Sequence, residues 1–124
     1  MDRDLNVLKH MYEYCVDIET DSKRLGDDYD VFKNDKMYQK AITMSLLQIG
    51  ELSNQLTDAF KSSTTGQMDW RGIKGLRNML AHRYGTMQPS LVWDIKTNDI
   101  PRLKEFCENH ISILRDAAIQ SSYI

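Results

Sequence analysis

The sequence predicts an all-α protein, an up-and-down helical bundle of four main helices plus a short extra helix. Three observations predict it. Two prolines and six glycines in 124 residues are too few for a turn-rich β sandwich. Apolar residues recur at intervals of three and four along most of the chain. The breaks between those stretches are short and polar, and no alternating run reads as a strand. The length fits one domain spanning residues 1–124, with enough chain to bury a core unaided.

The first helix is expected from about Asp4 to Leu25. Its stripe is Leu8, Met11, Cys15, Ile18 and Leu25, widened by Leu5, Tyr12 and Val16, and Gly26 supplies the stop. Asp27 to Asn34 reads as an acidic, solvated loop. A second helix is expected from about Asp35 to Lys61, where Tyr38, Ile42, Ser45, Ile49, Leu52, Leu56 and Ala59 alternate by four and three, the spacing of a helix packed lengthwise in a bundle. Gly50 in mid-helix costs about 1 kcal/mol against Ala. Its two readings, tolerated noise and close approach of another backbone, weigh about equally.

Lys61 to Met68 reads as a flexible loop. Asp69 is a good cap for a third helix from Trp70 to about Tyr84, which Gly85 ends. Ser90 can cap a short helix through Ile95. Asp99 and Pro101 open the last helix, since proline suits a first turn. Leu103, Phe106, Cys107, His110, Ile113, Leu114 and Ala117 form its stripe, and the final Ser-Ser-Tyr-Ile is expected to fray.

Composition excludes several classes. Sixteen Lys and Arg against eighteen Asp and Glu give a net charge of −2, so a general polyanion binder is not expected and any nucleic-acid contact must use a local patch. Cys15 and Cys107 stand far apart with no CxxC, which suggests buried free thiols in a reducing, cytoplasmic compartment. The charged start lacks the apolar core of a signal peptide, and no stretch is apolar enough to span a membrane. No phosphate-loop, nucleophile-elbow or dinucleotide fingerprint is present. Cys107 and His110 are i and i+3, yet together with His10 and Cys15 they lack the paired spacing of a structural zinc site, so no metal is expected. Trp70 and Trp93 read as core anchors. Tyr12, Tyr14, Tyr29 and Tyr38 show no spacing that suggests a nucleotide groove.

The informative segment is Trp70 to Gly85, WRGIKGLRNMLAHRYG. It carries Arg71, Lys74, Arg77 and Arg83 and no acid. At 100° per residue Ile73, Leu76, Leu80, Ala81, Trp70 and Tyr84 share a broad apolar face, while Arg71, Lys74, Asn78 and His82 lie beside it. Arg77 falls inside the apolar arc. An unpaired charge there is costly. Either Arg77 snorkels or pairs with a carboxylate from another helix such as Glu51, or it points into a cleft and binds phosphate through its planar fork. Asn78 and His82 are i and i+4 and can meet. Alone, His82 could simply complement the helix dipole. Taken together, an imidazole, an amide and a guanidinium within two turns suffice for metal-free RNA cleavage. The imidazole moves a proton at the 2′-hydroxyl or the leaving oxygen, and the guanidinium stabilises the phosphorane-like transition state.

Arg77-Asn78-Met79-Leu80-Ala81-His82-Arg83-Tyr84 resembles the R-x4-H-x-Y motif of the HEPN superfamily in its HepT-like toxin branch. Gln48-Ile49-Gly50-Glu51 is similar to the Gly-Glu element of that family's second long helix. The spacing of Trp70, Ile73 and Arg77-Asn78 resembles the family's, as do Val92-Trp93 and Ile100-Pro101-x-Leu103. The resemblance implies an all-α homodimer in which two R-x4-H elements build a composite, metal-independent ribonuclease cleft. Arg77 and His82 would be catalytic, supported by Asn78, Arg71, Lys74 and Arg83. It also implies an MntA-like nucleotidyltransferase antitoxin as partner, which transfers AMP to Tyr84. RNA is then the substrate, with no cofactor, no membrane and no DNA expected. The bulk and charge of the added AMP would occupy Arg77 and repel an RNA phosphate. The competing expectation is a catalytically silent helical module that binds a nucleotidyltransferase, with Arg77 and His82 serving only the interface.

Overall fold

The structure is a computed structural model that describes residues 2–82 and 88–121. The helices are α1 (Asp2–Leu25), α2 (Tyr29–Lys33), α3 (Lys36–Ser53), α4 (Asp58–Ser63), α5 (Trp70–His82), α6 (Pro89–Asp94) and α7 (Ile100–Ser121), with a π turn at Ile95–Asp99. The described residues contain no strand, as the all-α expectation required. α1 packs against both α3 and α7, and α5 lies on α3.

The predicted stripe of α1 is the centre of the core. Leu8, Met11, Cys15 and Ile18 are fully buried, each such side chain contributing roughly 1.5–3 kcal/mol of transfer free energy. Leu25 leaves the stripe and is exposed, because Gly26 turns the chain there with a φ of 118°.

The acidic segment is not wholly loop. Asp28 accepts a hydrogen bond from the Asp30 backbone N–H at 2.9 Å and starts α2, which buries Phe32. That ring meets Tyr38 edge-on at 4.8 Å and Trp93 at 5.1 Å. Asp27 pairs with Lys96. The sequence pattern hid this because a single buried aromatic among acids has no period.

Asp35 caps α3 as its position requires, accepting from the Met37 and Tyr38 backbone N–H groups. The long second helix, however, breaks at Ser53. Asn54, Gln55 and Leu56 donate to carbonyls three residues back, and Thr57 restarts the chain as the cap of α4 by accepting from the Phe60 N–H at 3.2 Å. Asp4 in α1 fixes the corner. Its carboxylate takes the Thr57 backbone N–H at 2.8 Å and the hydroxyl at 2.7 Å. After the break Leu56 is still buried as the stripe requires, but Ala59 is exposed and Phe60 is buried in its place, so the extrapolated stripe holds only as far as Leu56.

Trp70 anchors the start of α5. Its indole N–H donates to the Thr64 hydroxyl at 2.9 Å, and its ring packs against Phe60 and Phe106. Asp69 caps the helix by accepting from the Gly72 N–H at 3.0 Å. α6 starts at Pro89 rather than under a Ser90 cap. The break expected between Ile95 and a new helix start at Asp99 is absent too. The Ile100 N–H reaches back five residues to the Ile95 carbonyl, and this π turn carries the chain straight into α7. Pro101 has no N–H to contribute to an ordinary turn here, and the wider turn accommodates that. The final Ser122-Tyr123-Ile124, expected to fray, lies outside the described residues, while Ser121 closes α7.

Candidate functional site

α5 positions every described residue of the candidate site. Its apolar side turns inward through Trp70 and Leu80, both buried, with Ile73 and Leu76 packed behind them. Arg71, Lys74, Asn78 and His82 are exposed and follow one another at intervals of three, four and four, a single stripe along the helix. Among the described residues of this helix none is acidic. Arg83 and Tyr84 lie outside the described residues.

Arg77 resolves its place on the apolar arc by leaning on α3. Its root sits directly over Gly50. A Cβ added to that glycine would lie 2.4 Å from the Arg77 Cβ and 2.9 Å from its Cγ. The helices are therefore in backbone contact here, and the close-approach reading of Gly50 holds. Beyond that contact the guanidinium Nε donates to Glu51 Oε1 at 2.6 Å, and Nη2 pairs with the same oxygen. Nη1 donates to Asn78 Oδ1 at 3.1 Å. Asn78 thus gives its oxygen to Arg77 rather than to the expected His82. The Arg77 side chain keeps 30% of its surface exposed, so it is paired without being sealed off.

His82 is the last residue of α5 and is exposed. Five residues separate it from Arg77, about 7.5 Å along the axis and about 140° around it. One helix therefore does not aim both groups at a single phosphate.

The other polar candidates have structural partners. His110 Nε2 bonds to Gln67 Oε1 at 2.8 Å, and the ring packs 4.3 Å from Phe106. His10 sits 3.6 Å from Glu13 on the exposed side of α1. Cys15 and Cys107 are buried free thiols. Burial pushes Cys15 up to about 12 and moves Cys107 in the same direction, so both stay protonated and are poor nucleophiles. Among the described residues no three His, Cys, Asp or Glu side chains are grouped to hold a metal, and no helix is long and apolar enough to cross a membrane.

Beside the site, the flank of α5 opens into a groove of about 780 Å³, lined chiefly by Ile73, Leu76, Met79, Ile100, Leu103 and Phe106.

With this geometry in view, the comparisons are specific. The family described as ribonuclease HepT-like matches residues 11–110, most of the chain. The chain belongs to the HepT-like ribonuclease family. A Methanocaldococcus jannaschii protein named as a candidate RNase is 35% identical over 81 residues, covering 65% of this chain and 73% of the relative. A Thermococcus cleftensis protein named as a candidate ribonuclease HepT is 32% identical over 76 residues, 61% of this chain and 68% of the relative. A Caldanaerobacter subterraneus protein named as a candidate RNase is 26% identical over 98 residues, 79% and 85%. No solved structure matches.

Family membership makes this HepT-like chain a ribonuclease, and the predicted resemblance stands. The matched span contains Gly50, Glu51, Arg77, Asn78 and His82. Sequence reasoning singled out all five, with Glu51 as a carboxylate that could pair with Arg77, which it does. It missed Lys96, whose side chain is only 8% exposed and whose Nζ lies 4.1 Å over the Trp93 ring. The tie from Lys96 to Asp27 spans 69 positions, and no local pattern announces a pair at that separation.

Proposed function

We propose that this chain is a metal-independent endoribonuclease toxin that cuts RNA in a cleft built by two copies of itself. The observation that carries the proposal is the disposition of α5: an exposed His82 at its end, a half-exposed Arg77 on a different side, and an exposed basic stripe between Arg71 and His82. Within one chain the imidazole and guanidinium diverge. A second α5 facing the first would bring two of each together. One His82 then removes the proton of the 2′-hydroxyl, and the partner's His82 protonates the leaving 5′-oxygen. Arg77 stabilises charge on the phosphorane-like transition state. Arg71, Lys74, Asn78 and Arg83 hold the flanking phosphates and sugars. The apolar groove beside α5 gives a second copy surface to bury.

The proposal extends to control. A nucleotidyltransferase antitoxin moves AMP from ATP to the Tyr84 phenolic oxygen and releases pyrophosphate. Tyr84 is two residues from His82 in sequence, so an added phosphate there meets the same cations that RNA would.

RNA cleavage by the wild type and by His82→Ala, each with and without chelator, tests the proposal. Cleavage that survives chelator and disappears in the variant supports it. If His82→Ala cuts RNA as well as the wild type and changes only affinity for a nucleotidyltransferase, the chain is a binding module instead.

A further inference from the structure

We infer that Gly50 and Glu51 form a two-residue positioning device on α3 that aims the Arg77 guanidinium outward at an RNA phosphate. The inference rests on the proposed role of Arg77 and adds what sets its direction.

Gly50 sets depth. The added Cβ would also lie 3.3 Å from the Arg77 Cα, so the clash involves the root of the side chain and the backbone, not a flexible tip. Only a residue without Cβ lets Arg77 emerge this close to α3. Glu51, the next residue, sets rotation. Its Oε1 takes both Nε and Nη2, which fixes the plane of the guanidinium about its stem. Asn78 Oδ1 takes one N–H of Nη1.

A guanidinium has five N–H groups, one on Nε and two on each terminal nitrogen. Two hydrogen bonds use N–H groups of Nε and Nη1, and Nη2 is held in ion-pair contact with Glu51. One N–H remains on Nη1 and one on Nη2 beyond these contacts. Those two donors suit the oxygens of a phosphate. Glu51 therefore occupies one edge of the fork and leaves donors on another. Were Glu51 only a stand-in that RNA displaces, its removal would strengthen RNA binding, because it cancels positive charge beside the site. As a positioning residue, its removal weakens turnover despite the gain in charge.

The test uses the full chain as wild type, Glu51→Gln and Glu51→Asp, with His82→Ala as reference. Three readouts are taken: kcat and KM on an RNA oligonucleotide, binding of its uncleavable 2′-O-methyl form, and the Arg77 Nε–H resonance. Glu51→Gln and Glu51→Asp should each lower kcat by about tenfold to a hundredfold with KM changed by less than about threefold. The Nε–H resonance should be protected in the wild type and lost to exchange in both variants. Turnover by Glu51→Gln at or above wild type, with or without tighter 2′-O-methyl RNA binding, overturns the inference. Equal cleavage by wild type and His82→Ala would instead defeat the proposed site. The resonance still decides in that case, since its persistence in Glu51→Gln refutes the positioning device.

Discussion

Replacing Gly50 by Ala adds one methyl group where two helices touch. That methyl would sit 2.4 Å from the Arg77 Cβ, against an ordinary carbon–carbon separation of about 3.5–4.0 Å. α5 must therefore retreat from α3 by roughly 1–1.5 Å at this point, or Arg77 must leave its rotamer. Overpacking of this kind costs about 1–3 kcal/mol. Alanine is the better helix former by about 1 kcal/mol, so the net destabilisation is about 0–2 kcal/mol. Gly75→Ala is the internal control. It lies in α5 with nothing within 4 Å of an added Cβ, so only the propensity term acts, and it should stabilise by up to about 1 kcal/mol. Urea unfolding of both variants reads the difference. Activity should separate them further, because a 1 Å displacement of a reacting group can cost about a hundredfold in turnover. If Gly50→Ala stabilises the protein as much as Gly75→Ala and cleaves RNA normally, the close contact between α3 and α5 is wrong.

Three other outcomes are expected. Burial against Phe60 and Phe106 lowers the pKa of His110 from its ordinary 6.5. The unfolded chain then binds that proton first, so the stability from the neutral ring is full above about pH 6.5 and is lost as pH falls through the lower folded value. Urea midpoints should drop on acidification, less steeply in His110→Gln, and equal slopes would contradict the assignment. Asp27→Asn leaves Lys96 beside Trp93 without its carboxylate. Because Asp27 is 66% exposed, solvent screening limits the loss to about 1–2 kcal/mol, and unchanged unfolding in low salt would refute it. Tyr84→Phe should gain no AMP by mass spectrometry when incubated with ATP and the nucleotidyltransferase, while the wild type gains one. A wild type that stays unmodified in every condition would remove Tyr84 as the target.

Local rules were readable where one residue type does one job. Asp35 and Asp69 cap the helices that follow them, Gly26 stops α1, and Leu8, Met11, Cys15 and Ile18 bury as their spacing demands. The failures have physical causes. A four-three period continued past Ser53, and periodicity alone does not see a capping threonine. Thr57 with Asp58 after it is a helix start, a signal present in the sequence but outweighed by the apolar pattern. The π turn before α7 was invisible because Asp99 and Pro101 make an equally good beginning in isolation. At the candidate site, Arg77 and Glu51 were legible as a possible pair because an arginine on an apolar arc demands a carboxylate. What was not legible was the order of causes. The missing side chain of Gly50 admits the arginine root, and only then does the neighbouring glutamate meet the guanidinium.

The most direct measurement is a mixing series of wild type and His82→Ala at fixed total protein, after subunit exchange, read by initial rates of RNA cleavage. If each cleft needs a histidine from both copies, only all-wild-type dimers cut, and an equal mixture retains about a quarter of full activity. If each chain works alone, the same mixture retains about half, and rates fall in direct proportion to the wild-type fraction. A straight line would contradict a shared cleft.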